Sequence, residues 1–588
     1  MRHARITALA VATASAAALV ATSLLPVASA AGGIIIDPRA TGPAPAIAGA
    51  VKGGTIYVIG KSDFNHFDPT RVYDTAVGNF GRLISRPLTG IQQVGNVQKL
   101  VGDLAADTGK SSNGGAVWTF KLRPGIKWED GKDVTCADVL YGVSRSFDTL
   151  ADSPILTGGP SFYVTDFIEN KTDYKGPYAT PNGSLSGVSC SGSGDNESIT
   201  FKLTRPISDF NFATSMLAFS AVRKDADTKD KYDQAPLSDG PYVIQSRVKK
   251  DKTVVVRNKY WNASTDPIRN AYPDKFDMLF NQDPEVTNQL FINDSGNAKY
   301  GLGKTGAGIL TQNIPTVYDS AKDALKPAFE GRGFYGKTFG TGWLAINIQK
   351  VTDINLRRAI QCALNKETMR AAVGGKTVGD YTNSLAPVGL GGYSKYTVCT
   401  ENPQGDVDAA KAFYQKSKMK RPLTFVYSNA TTDSENEALA LQASLKRAGI
   451  EVKIKAIDAT TYYDVLEKQG PDAPDLMIYG WYYDWPNAST IYPPLFSSQL
   501  VGEKVVGENK SRVVDKKLDD LMDRASTTTA PIQQALIWTQ ADRYVVKNLA
   551  AVVPLWQFKS LYLTGSKVVS EDFTSMGGAN WATIYVKP

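Results

Sequence analysis

Residues 422 to 485 constrain the fold of this chain more than any other stretch. Leu423, Phe425 and Tyr427 alternate, as do Val452, Ile454 and Ala456, whereas Ala438, Leu441, Leu445 and Ala448 recur at helical spacing. The stretch reads strand, helix, strand, helix, strand, and such alternation closes into a parallel sheet with right-handed crossovers. Ligands of open α/β sheets settle outside the carboxyl ends of the strands. Two segments emerge at that edge: Ser428-Asn429-Ala430-Thr431-Thr432, and the cluster Trp481-Tyr482-Tyr483-Asp484-Trp485. A carboxylate among four rings can hold a ligand ammonium by charge, hydrogen bonding and cation–π attraction. The competing account is an edge of core, with the rings half-buried and Asp484 capping a turn.

The start of the chain reads as an export signal. Arg2 and Arg5 form the charged end, Ala8 to Leu25 the apolar segment, and Ala28-Ser29-Ala30 a small-residue cleavage site. No cysteine lies near that site, so no lipid can be attached there through a thiol. Cleavage after Ala30 leaves 558 residues (588 minus 30), more than one hydrophobic core supports, and two or more lobes are expected. Losing the two signal arginines takes the formal charge from +7 to +5 (63 basic minus 58 acidic). That small, scattered excess is not the basic stripe of a nucleic-acid binder.

Cys136, Cys190, Cys362 and Cys399 are an even set in an exported chain, which favours disulfides. Three pairings are possible. Cys136–Cys190 with Cys362–Cys399 is preferred because each bridge then stays inside one lobe. Loops of that size stabilise by roughly 4 kcal/mol each in the chain-entropy account.

Residues 31 to 52, rich in Ala, Gly and Pro, read as a flexible lead-in, with ordered structure beginning at Gly53-Gly54. Strand signals follow at Thr55 to Ile59. Val117 to Leu122 and Ile199 to Leu203 repeat Thr-Phe-Lys-Leu and read as neighbouring amphipathic strands. Tyr242 to Ser246 and Thr253 to Arg257 flank a lysine-rich turn as a hairpin. Residues 170 to 196 read as a long surface loop. After about residue 300 helices and strands alternate, with a helix behind Asp353 and a last amphipathic helix over about 531 to 547. The first lobe is thus β-rich and mixed, the second α/β.

Catalytic equipment is sparse. After export His66 is the one remaining histidine, which excludes a His-based zinc site. There is no G-x-S-x-G elbow. Ala298 to Thr305 fits a relaxed phosphate-loop pattern but follows a polar stretch, and reads as an inter-lobe loop. Ser246-Arg247-Val248-Lys249 has S-x-x-K spacing at a hairpin end, with no S-D-N or K-T-G partner. The sequence therefore points away from an enzyme and from any cofactor or metal.

Several segments, in order, carry a resemblance. They are Gly53-Gly54-Thr55 to Phe67-Asp68-Pro69, Trp118 to Trp128 with Asp130-Gly131, and Ala137-Asp138-Val139. Asp239-Gly240-Pro241-Tyr242, Arg257-Asn258 and Tyr260-Trp261 follow, then Ala345-Ile346-Asn347, Leu356 to Ile360, Gly480-Trp481 before Asp484, and Val552 to Leu555. Together they resemble the extracellular solute-binding proteins of ABC importers, peptide/nickel class (family 5). The resemblance implies an α/β fold, a two-lobed periplasmic-binding-protein-like clamshell of class II type. Its lobes would be residues 53–290 with 562–588, and 291–561, with chain crossings near 280 to 310 and 556 to 564. It implies an exported monomer in the extracellular or cell-envelope space. Such a protein delivers an oligopeptide or peptide-like solute to a membrane permease powered by a separate ATPase. Asp484 would pair with the ligand's amino end. Asn429 and Thr431, and Val72, Tyr73 and Asp74 after the Asp-Pro, would contact ligand. Two departures stand out: Ala31 replaces the lipid-modified cysteine of many relatives, and residues 429–432 offer no cation for a ligand carboxylate. An oligosaccharide or a nickel chelate on the same scaffold is the alternative, and a secreted hydrolase of cell-wall peptides the rival of another class.

Overall fold

The computed structural model describes residues 35–588 apart from 74, 95–96, 305–308, 460, 503–505 and 571–577. The export signal lies outside the described residues, as does Asp74. Two bodies are built around separate sheets. The first holds a five-stranded sheet in the order Gly301–Gly303, Thr55–Ile59, Lys275–Leu279, Lys252–Arg257, Tyr242–Val248. The first three strands run parallel and the last two form the expected hairpin, turned at Lys250 with φ 66°. Trp581 and Ile584, from the end of the chain, pack into the core beneath it.

A four-stranded antiparallel sheet stands beside it, and there the two Thr-Phe-Lys runs pair directly, Trp118 opposite Phe201 and Phe120 opposite Ile199. Alternation sends Trp118, Phe120, Ile199 and Phe201 into one core, while Thr119 and Thr200 hydrogen-bond across the other face at 2.9 Å. The edge strand Val188–Ser191 corrects the reading of residues 170 to 196 as loop throughout. The structure pairs Cys136 with Cys190 and Cys362 with Cys399, with Cα atoms 5.9 and 5.3 Å apart.

The second body holds a six-stranded mixed sheet in the order Gly379–Tyr381, Val552–Leu563, Gly333–Ile346, Leu476–Tyr482, Leu423–Ser428, Val452–Ile457. The last three strands are the parallel set read from residues 422 to 485, linked by the helices Thr432–Lys446 and Tyr462–Glu467. The long strands Gly333–Ile346 and Val552–Leu563 add antiparallel pairs that periodicity did not reveal. Asp353 caps Ile354–Ala363 through the amide of Asn355, as expected.

Two further expectations are corrected. Residues 31 to 52 are not a loose lead-in over their described part. Ile35–Asp37 pairs in parallel with residues 99 to 101, and the amide of Ile47 donates to the Tyr272 hydroxyl at 3.0 Å. Short β-branched residues suit an edge strand, and Ile35 and Ile36 were outweighed by the surrounding Gly and Pro. Gly301–Gly303, placed in an inter-lobe loop by sequence, is an edge strand of the first sheet. Residues 301–303 therefore belong with the first sheet, past the lobe boundary drawn at 290 but inside the range of 280 to 310 expected for the first crossing.

Beneath the first body's surface lies an ionic cluster. The Asp103 carboxylate accepts from Arg86 Nε and from Arg269, each at 2.6 Å, and Arg269 also donates to Asp266 at 3.1 Å, with all four side chains buried. Removing one member of such a set leaves uncompensated buried charge. Asp103→Asn should lower unfolding stability by about 3–5 kcal/mol in a urea titration. A loss within the range of an ordinary surface change would mean that the arginines are hydrated.

Candidate functional site

The cluster at residues 481 to 485 sits where the bodies meet. Leu476–Tyr482 carries Trp481 and Tyr482 to the carboxyl edge of the sheet, and the chain then turns through Tyr483 and Asp484 toward the first body. The Asp484 carboxylate is half-buried, and its Oδ2 accepts from the Tyr163 hydroxyl at 2.7 Å and the Tyr73 hydroxyl at 3.1 Å. Both tyrosines belong to the first body, so the anion is held across the interface. Burial pushes the Asp484 carboxyl up to about 7, against the opposing effect of the two tyrosine hydrogen bonds, and Glu508 nearby adds to the rise. The same burial and the same carboxylate hold both phenols protonated.

A cavity of about 160 Å³ opens beside this contact, lined by Val72, Tyr73, Arg82, Met216, Arg269 and Asp484 among others. Tyr73 stands 6.3 Å from the Trp481 ring, centre to centre. The Trp481 indole nitrogen is buried without a hydrogen-bond partner among the described residues. Four of the residues singled out by sequence, Val72, Tyr73, Trp481 and Asp484, are thus brought together.

The others have different positions. Tyr483 is 3% exposed, packed in the second body's core with its ring 4.9 Å from Phe339. Trp485 is 2% exposed and packs into the first body's core, donating its indole N–H to Ser489 Oγ at 3.0 Å and Asp209 at 3.2 Å. These two rings are anchors of packing with no open face, which corrects their reading as cleft lining. Tyr482 stacks on Phe558 at 5.2 Å on the opposite face of the sheet from Trp481. Asn429 is exposed and accepts from the Ala459 amide at 3.2 Å; Thr431 is exposed and caps Thr432–Lys446. Both lie at the expected strand edge, and neither lines the cavity beside Asp484.

Sequence reasoning missed Tyr163, Arg82 and Asp209. Tyr163 lies in a short helix, Ser161–Thr165, with no periodic signal. Among the described residues Arg82 hydrogen-bonds only amide oxygens, Asn580 at 2.9 Å and Asn79 at 3.2 Å, and its Nε has no partner. Burial lowers its guanidinium to about 10. Among the described residues no group of three His, Cys, Asp or Glu side chains is placed to hold a metal ion. His66 faces Asp233 at 3.3 Å, and Asp233 is already taken by the amides of Phe67 and Asp68, a structural role.

Two bodies joined by two chain crossings, with a carboxylate and aromatic residues at their contact, define a two-lobed binding protein. The chain belongs to the bacterial extracellular solute-binding proteins, family 5: the model of that family's middle region matches residues 99–502. It is 24% identical over 462 residues to the periplasmic murein peptide-binding protein MppA of Escherichia coli, covering 76% of this chain and 78% of the relative. Among solved structures it is similar to clavulanic acid biosynthesis oligopeptide binding protein 2, with 25% identity, TM-score 0.81, and 94% and 99% of the two chains covered. The fold also matches the DppA binding protein of Helicobacter pylori in complex with the peptide STSA, at 20% identity and TM-score 0.69, covering 92% and 99%.

A carboxyl raised above its unfolded value of 3.8 to about 7 keeps its proton in the folded state over about pH 4–7 while the unfolded chain gives it up, so stability falls as pH rises through that window. Asp484→Asn removes that dependence. Relative to the parent, the variant should become progressively more stable from about pH 4 to 7 and level off above, in urea unfolding at fixed pH. A difference constant with pH would mean that the carboxylate is solvated.

Proposed function

We propose that this chain is the exported receptor of an ABC importer, capturing an oligopeptide or peptide-like solute between its lobes and passing it to a permease. The observation that carries this reading is an open strand edge beside the anionic anchor. Leu476–Tyr482 pairs along its whole length with Gly333–Ile346, but on its other side Leu423–Ser428 pairs only with Leu476 and Met477. From Ile478 to Tyr482 no strand covers that edge among the described residues. An extended peptide can add there by main-chain hydrogen bonds, which are indifferent to side-chain identity. Its amino end then falls next to Asp484, and the unpartnered Trp481 indole N–H is available to a peptide carbonyl.

Peptide binders among the relatives support the choice of ligand: MppA is a murein peptide-binding protein, and the Helicobacter pylori neighbour carries a peptide. In this reading Tyr73 and Tyr163 close the lobes on the anchor, and the hinge lies where the chain passes between bodies, after residue 303 and near residue 563. Capture and release involve no covalent step, and the export signal read from the sequence supports a position outside the cytoplasmic membrane, where the receptor would meet a permease powered by an ATPase on the other side. A stacking surface for sugar is less well served, since Tyr483 and Trp485 are buried.

The test is calorimetry with a free-amino tetrapeptide and its N-acetylated form. Asp484→Asn should weaken the free form by roughly 2–5 kcal/mol and leave the acetylated form almost unchanged. Equal affinity of parent and variant for the free form would remove Asp484 from the role, and absence of any peptide binding would remove the reading itself.

A further inference from the structure

A second cavity, of about 310 Å³, lies in the second body on the far face of the sheet from Trp481. Ile478, Tyr479 and Gly480 of the open edge just described are part of its lining. Gly480 and Gly342 leave room for the Phe558 ring to lie flat on the sheet; a Cβ at Gly480 would stand 2.7 Å from Phe558 Cζ and one at Gly342 2.9 Å from Cε1. The walls are Tyr462, Tyr463 and Trp556, with Val373 and Val378 behind them. Into this apolar chamber the helix Thr432–Lys446 projects one charged group, Glu437.

Glu437 is on the helix face that carries Leu441, one turn on, instead of among the solvated positions. No described residue donates a hydrogen bond to its carboxylate and no described cation stands beside it; burial alone accounts for its state. That burial pushes its carboxyl up to about 7. An anion kept in apolar surroundings without a partner is costly, and a cation arriving from outside would relieve that cost. Aromatic walls add attraction for the same cation and accommodate an apolar stem.

The position of the cavity connects it to the strand edge. Side chains of an extended peptide alternate between the two faces of the sheet it joins. Those on the face of Gly480 and Phe558 enter this chamber, while the others face Trp481. Tyr462 borders both, its hydroxyl 3.5 Å from the carbonyl oxygen of Ile478. We propose that the chamber is a side-chain subsite for a cation on an apolar stem, the lysine or arginine of the bound peptide, with Glu437 as its counter-charge. The proposal rests on the peptide reading above and adds to it a selectivity: the preferred cargo is a basic peptide.

The test uses tetra-alanine and the sets in which lysine, or its uncharged isostere norleucine, replaces each alanine in turn, titrated into the full exported chain and into Glu437→Gln. At one position lysine should bind about thirtyfold tighter than norleucine or better, and in Glu437→Gln that gap should close while tetra-alanine affinity stays unchanged, which also reports an intact fold. Lysine no better than norleucine at every position, or a lysine preference that persists in Glu437→Gln, overturns the subsite while leaving the peptide reading in place. Preference for norleucine would assign the chamber to neutral apolar side chains, with Glu437 protonated, and also overturns it. If no peptide in the set binds, the peptide reading fails and the subsite with it.

Discussion

The rest of the structure depends on one carboxylate being held by two bodies at once. Asp484 leaves the second body at the end of Leu476–Tyr482, and the hydroxyls that reach it come from Tyr73 and Tyr163 of the first. Neither body alone forms this contact. A partly desolvated carboxylate served, among the described residues, by neutral donors alone is an unfinished arrangement: the phenols hydrogen-bond the charge without neutralising it. The same economy is visible at Asp209, where Trp485 and Ser489 of the second body donate to a buried acid of the first. The contact between the bodies therefore brings together acids served by neutral donors alone, and at Asp209 the second carboxylate oxygen stays buried without a partner among the described residues.

For that contact to recur in the same place, the two bodies must be stiff. The first is stiffened by buried ion pairs: Arg145 bridges Asp68 at 2.6 Å and Asp227 at 3.1 Å, and Asp103 gathers Arg86 and Arg269. Asp68 stands in the Asp-Pro segment that leads to Val72 and Tyr73, so the ion pair fixes the loop from which one of the two phenols projects. Each lobe also carries its own disulfide, which restrains local loops without tying one body to the other. Cross-links between bodies would have opposed hinge motion; cross-links within them do not.

Much of this was legible in the sequence, and the reason is physical. The segments that carry the family resemblance are framework. Trp128 is fully buried, Asp138 completes the capping box with Thr135, and Asp239 accepts the Arg86 amide at 2.9 Å. Arg357 ties down the carbonyls of Val351, Thr352 and Leu549. Such roles demand particular side chains at particular spacings, so they leave a pattern. The strand-helix alternation of residues 422 to 485 was visible for the same reason. The site was less visible because its members converge from distant parts of the chain through tertiary packing. Tyr163 and Arg82 have no local signature, and Trp485 could not be told from a cleft residue until the core it enters was known. Glu437 had left a trace: a charged residue one turn before Leu441 on an apolar helix face has to be solvated, paired, or waiting for a partner.

In the proposed peptide reading the open edge and the two chambers would divide recognition between them. If an extended ligand pairs along Ile478 to Tyr482, that pairing sets its direction and depth, and alternation of its side chains distributes chemistry by parity: one set toward Trp481, the other toward Phe558 and Glu437. A receptor built in this way can accept many sequences and still rank them, because the two carboxylates are spaced along the path of one chain. In the proposed reading Asp484 would answer the charge that every unblocked peptide carries at its amino end, and so would add affinity without ranking side chains. Glu437 answers a charge that only some side chains carry. On the proposed roles, losing the first carboxylate would weaken every peptide with a free amino end, whereas losing the second would change only the order of preference among side chains, and that difference separates an anchor from a selector.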